Sequence, residues 1–147
     1  MNKITIKDLT LMAMLLAILI LCSKLTIPLG ASQLSLQTLS LALIGYLLKP
    51  KKTLIVVTTY IIIGLIGIPV FTQGGGFSYI VNPLFGFILG FIPFTLLISL
   101  DKKKIPYLSI LALVPLYVIG ALYVYLIRNF YVDSEISLYN VLYFYII

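Results

Sequence analysis

The 147-residue chain has no histidine, no tryptophan, one cysteine (Cys22) and four acidic residues. Without histidine there is no imidazole base to activate Cys22 or a serine, and a metal centre loses its commonest nitrogen ligand. A single cysteine excludes a disulfide framework, and Cys22 reads as a small buried hydrophobe. Asp8 and Asp101 stand beside lysines, while Asp133 and Glu135 share one polar connection. None lies inside an apolar run, so neither a paired-carboxylate active site nor an intramembrane proton relay is encoded. The chain is expected to be neither an enzyme nor a holder of a metal or cofactor.

Hydrophobic residues make up 62% of the sequence and charged residues 10%. The mean hydropathy is +1.19. A soluble domain carries about a quarter charged residues, and one this small could not hide so much apolar surface. The solvent is therefore lipid, with room for roughly five or six spans of ~20 residues in one membrane domain covering residues 1–147. The opening apolar run is too long for the core of a signal peptide and has no small-residue cleavage site, so it reads as a retained first span.

Apolar segments cover approximately 9–27, 34–48, 53–68, 79–100 and 105–127, and a sixth begins near Ile136. From there to Ile147 a helix would reach only about 18 Å, short of a ~30 Å hydrocarbon core, so the sixth helix is expected to be incomplete. Lysines alternate between connections: Lys3 and Lys7 precede the first segment, Lys49, Lys51 and Lys52 follow the second, and Lys102, Lys103 and Lys104 follow the fourth. If each segment crosses once, those lysines share a face, and the positive-inside rule puts them and the N-terminus in the cytoplasm. Bases in three short turns, rather than one stripe, argue against nucleic-acid binding despite a net charge of +6.

The connections at 29–33 and 69–78 then face outward, and the second contains Gly74, Gly75 and Gly76. A glycine run permits positive φ and close approach of backbone to a ligand, and Pro69 and Asn82-Pro83 set its entry and exit. It is expected to form a shaped lid. Gln33, Gln37 and Ser40 recur at i, i+4 and i+7, which predicts a polar line on the outer half of the second segment. Gln37 and Asn82, nearest the glycines, are candidate ligand contacts. Thr58, Thr59 and Tyr60 place three hydroxyls in the third segment, where bonding between helices is the simpler reading. Gly86 and Gly90, like Ala13 and Ala17, form small-xxx-small patterns suited to close helix contact.

Ile27-Pro28, Gln37-Thr38-Leu39, Gly67-Ile68-Pro69-Val70-Phe71, the triplet Gly74 to Gly76 and the run Gly86 to Phe91 occur in an order and spacing that resemble the BioY family. These are substrate-binding membrane subunits (S components) for biotin uptake in energy-coupling factor (ECF) transporters. The resemblance covers roughly residues 7–100. It implies an all-α integral membrane protein, a compact six-helix bundle with an outward vitamin pocket beneath the first and third connections. It implies substrate contacts at Gln37, Thr38, Phe71, Gly74, Gly75, Gly76 and Asn82. It also implies that Ala13 and Ala17 dock a transmembrane coupling protein, which works with two ATPase subunits. The resemblance also implies an aspartate and a lysine on the sixth helix that help hold biotin, and the sequence stops before any such motif. Two other readings are a truncated, non-transporting membrane protein and a self-sufficient secondary vitamin carrier.

Overall fold

In the computed structural model, residues 4–29, 32–100 and 105–130 are described. The expected sixth segment, Lys102 to Lys104, and the acids Asp101, Asp133 and Glu135 lie outside them.

Helix α1 spans Ile6–Lys24. It starts at Thr5, whose hydroxyl accepts from the Asp8 amide at 3.3 Å while the Asp8 carboxylate accepts from the Thr5 amide at 3.0 Å, a reciprocal capping box. Strands β1 (Thr26–Leu29) and β2 (Ser32–Ser35) then pair antiparallel, with Pro28 opposite Gln33. Helices α2 (Gln37–Leu47) and α3 (Pro50–Ile66) follow. A 3-10 helix, Phe77–Val81, precedes α4 (Phe85–Leu100) and α5 (Ile105–Phe130).

Two boundaries differ from the sequence expectation. The segment expected to be helical from Leu34 begins only at Gln37, because the preceding residues pair as a strand with β1. Gln33 therefore leaves the helical line it was expected to share with Gln37 and Ser40. The fourth segment breaks at Asn82, which is extended with ψ 129°; Pro83 disfavours helix at the residue before it. The Asn82 side-chain oxygen then accepts from the Leu84 amide at 2.9 Å, starting the chain into α4.

Close approach between helices is made by missing side chains. A Cβ on Gly86 would fall 2.2 Å from Cβ of Tyr123, and one on Gly120 would fall 2.4 Å from the Phe87 ring. Gly90 faces Leu116 in the same way, so the Gly86/Gly90 pattern serves the α4–α5 contact. The core comprises Leu19 of α1, Leu41 and Ile44 of α2, Val57 and Tyr60 of α3, Phe71, and Phe94 and Ile98 of α4.

The outside is also apolar. Leu9, Met14 and Leu21 on α1, Leu39 on α2, Ile62 and Ile66 on α3, and Ile110, Val118 and Leu122 on α5 are all exposed. Water would not tolerate such a surface, whereas lipid solvates it without cost. Helix α1 and residues Ser109–Phe130 of α5 are each long and apolar enough to cross a bilayer.

Two contacts orient the ends. Lys52, at the start of α3, meets Asp8, at the start of α1, at 2.5 Å. Ser23, at the end of α1, bonds the chain just beyond the end of α3. The N-terminus and the α2–α3 connection therefore share one end of the bundle, and the glycine segment sits at the other.

Candidate functional site

The glycine segment is a tight, anchored turn. Phe71 and Gly74 exchange backbone hydrogen bonds of 2.9 and 3.2 Å, leaving Thr72 and Gln73 as a two-residue tip. The Gly76 amide donates to the Gly64 carbonyl at 2.7 Å, using one of the last acceptors of α3. Gly74 and Gly76 have φ of 127° and 114°, a region that side chains resist. Gly75 is held by space instead, since a Cβ there would fall 2.2 Å from the Ile68 carbonyl oxygen.

A buried polar cluster fixes the foot of this turn. The Val70 carbonyl accepts from Ser23 Oγ at 2.6 Å and from Tyr60 Oη at 2.9 Å. Tyr60 Oη in turn accepts from Gln37 Nε2 at 2.8 Å. Helices α1 and α3 thus converge on one backbone oxygen and α2 joins them through Tyr60, with Ser23, Gln37 and Tyr60 all buried. Burial in a low-dielectric setting makes each of these bonds costly to break without a replacement partner. Beside them, Lys24 Nζ donates to the Phe71 carbonyl at 2.5 Å.

The tip is flanked by the two amide side chains singled out in the sequence. Thr72 Oγ1 stands 3.5 Å from Gln37 Oε1, and Asn82 Nδ2 donates to Gln73 Oε1 at 3.2 Å. Gln37 and Asn82 therefore each meet one residue of the tip. Thr38 is half-buried in the first turn of α2, and Gly74, Gly75 and Gly76 are half-buried above the cluster.

Phe71 is fully buried. Its ring occupies the space that a Gly64 side chain would fill, 2.1 Å from the ideal Cβ position. It packs edge-on to Tyr60 at 5.5 Å and tilted against Tyr79 at 4.8 Å. Burial pushes the Tyr79 phenol above its ordinary pKa, and a hydrogen bond with the Gln73 backbone offsets part of that rise. From the far side, Tyr123 of α5 donates its hydroxyl to the Ile80 carbonyl.

Ala13 and Ala17 lie elsewhere. Both are exposed on α1, continuing a face with Leu9 and Leu21 at intervals of four residues. Ser23 was not expected to take part in the site; Lys24, a base near the outer end of the first segment, could attract a carboxylate, although its spacing in the sequence does not show that it does.

An apolar helical exterior, with a cluster of amides and hydroxyls under a glycine turn at one end, defines a membrane protein. The family model described as the BioY family matches residues 1–147, and the chain belongs to that family. It is 37% identical over 115 residues to the "Biotin transporter BioY2" of Lactococcus lactis subsp. cremoris, an alignment covering 78% of this chain and 63% of that protein. It is 33% identical over 138 residues to the "Probable biotin transporter BioY" of Lysinibacillus sphaericus, covering 88% of this chain and 70% of that one. The fold is similar, with a TM-score of 0.76 and 26% identity, to the crystal structure at 2.1 Å of the S-component for biotin from an ECF-type ABC transporter. That match covers 95% of this chain and 82% of the solved one.

Proposed function

We propose that this protein is the substrate-binding membrane subunit of an ECF-type transporter, capturing biotin at the outer face of the cell membrane. The observation that carries this reading is membership of the BioY family across the whole chain, joined to a polar cluster at the end where the family resemblance puts the vitamin site. Biotin is a compact bicyclic urea with an apolar thioether ring and a carboxylate tail. A ureido group offers donors and a carbonyl acceptor, which side-chain amides such as Gln37 and Asn82 complement, while aromatic walls such as Tyr79 suit the ring. Thr38, Phe71 and the backbone of Gly74, Gly75 and Gly76 complete the proposed pocket.

The lysine alternation supports a multi-pass bundle of six helices with a cytoplasmic N-terminus, and the Asp8–Lys52 pair agrees with it by joining two of the lysine-bearing connections. Delivery inward needs an energy source. No phosphate-binding glycine-lysine loop is present in the sequence, so the proposal assigns ATP hydrolysis to two ATPase subunits linked through a membrane coupling protein. The exposed Ala13 and Ala17 offer that protein a shallow face for close helix packing.

Uptake of labelled biotin tests the assembly. Cells expressing this protein with a coupling module should accumulate biotin, and inactivating the ATPases should abolish uptake. Undiminished uptake without any ATPase would instead make the protein a self-sufficient carrier.

A further inference from the structure

We infer that Lys24 is the residue that reads the anionic end of the ligand, and that it exchanges the Phe71 carbonyl for the ligand's carboxylate on binding. This rests on the biotin-binding reading above. Lys24 ends α1, is exposed, and bonds the carbonyl adjacent to the one that Ser23 and Tyr60 hold. Its charge thus lies at the foot of the glycine turn, one residue along the chain from the cluster that includes Gln37.

Among the described residues, that charge is met by dipoles. Among the described residues the single carboxylate is Asp8, which pairs with Lys52 at the opposite end of the bundle. The Phe71 carbonyl that accepts from Lys24 already accepts from the Gly74 amide at 3.2 Å, so it is a shared acceptor for the ammonium. A carboxylate arriving from solvent would offer a full charge in place of part of a dipole, and charge-assisted hydrogen bonds are about twice as strong as neutral ones. The flexible four-carbon stem lets the ammonium swing without moving α1. The Phe71 carbonyl keeps its Gly74 bond after the exchange, so the turn survives the loss of Lys24. The remaining polar groups of the site, Gln37, Tyr60, Thr72 and Asn82, are uncharged at neutral pH and suit the neutral part of the ligand.

The alternative is that Lys24 only complements the C-terminal dipole of α1 and ties down the turn. The two roles separate by ligand charge. Affinities of the purified full-length protein are measured by calorimetry for biotin and for biotinamide, whose tail carries a neutral amide. The wild-type protein is expected to bind biotin about tenfold more tightly, from one charge-assisted contact at a partly exposed site. Lys24→Met should bring biotin down to the level of biotinamide and leave biotinamide unchanged, and Lys24→Arg should keep the preference. A Lys24→Met protein that retains the preference, or loses both ligands equally, overturns the assignment. Should Lys24→Met fail to fold, the wild-type comparison decides alone: equal affinities overturn the role of Lys24 while leaving biotin as substrate. A wild-type protein that binds neither ligand overturns the substrate reading and this one with it.

Discussion

The hydroxyl of Tyr60 donates to the carbonyl of Val70 at 2.9 Å, so a side chain inside α3 holds the backbone ten residues further along, past the helix end. The same carbonyl is held by Ser23, and the same hydroxyl by Gln37. Tyr60→Phe removes the bridge, so the buried Val70 carbonyl loses one donor and the Gln37 amide loses this contact. A buried unmatched polar group costs roughly 1–3 kcal/mol, so thermal unfolding in detergent should shift down accordingly. Ser23→Ala should cost less, because Val70 keeps Tyr60. Combined with Tyr60→Phe it should cost more than the sum of the single changes, since the carbonyl then loses both donors.

Phe71 and Gly64 occupy one space. Gly64→Ala drives a Cβ to within 2.1 Å of the Phe71 ring and must expel it. Overpacking of this kind costs about 1–3 kcal/mol or more. Phe71→Leu frees the ring volume, so the double variant Gly64→Ala/Phe71→Leu should melt higher than Gly64→Ala alone. A thermal-shift series checks this, and strictly additive losses would contradict the shared-space account.

Much of this was legible from residue types. The long helices followed from apolar runs bounded by Pro, Gly and Lys, and the Gly86/Gly90 spacing marked a real helix contact. Gln37 and Asn82 stood out because amides in apolar segments need partners, and both do meet the turn. The start of α2 was misread because hydrophobicity alone cannot separate a short apolar helix start from a strand, and Ser32–Ser35 pairs with β1 instead. The contacts of Ser23 and Lys24 were hidden for another reason: their acceptors are backbone carbonyls of Val70 and Phe71, which no side-chain pattern advertises.

Asn82 does two jobs with two atoms. Its oxygen caps the Leu84 amide and its nitrogen bonds Gln73. Asn82→Asp preserves the cap and loses the donor, whereas Asn82→Ala loses both. The aspartate variant should keep near-wild-type stability with a faster biotin off-rate, and the alanine variant should also lose about 1 kcal/mol of stability. Dissociation kinetics beside thermal melts separate the two effects.

Gly75→Ala collides with the Ile68 carbonyl oxygen, which is backbone and cannot rotate away. Gly67, with φ of 120°, has open space around its Cβ position and is limited by backbone strain alone. Gly75→Ala should therefore abolish ligand binding, while Gly67→Asn should be tolerated with a loss of about 1 kcal/mol, because asparagine visits positive φ more readily than other side chains. Biotin binding by the two variants at matched concentration is the check.

The central claim is that the cluster beneath the glycine turn recognises biotin. Its most direct test is a calorimetric titration of the purified protein with biotin, with thiamine and riboflavin run in parallel. Saturable binding of biotin alone, lost in Gln37→Ala, is the expected result. Equal binding of all three vitamins, or no binding of biotin by the folded protein, would contradict the account.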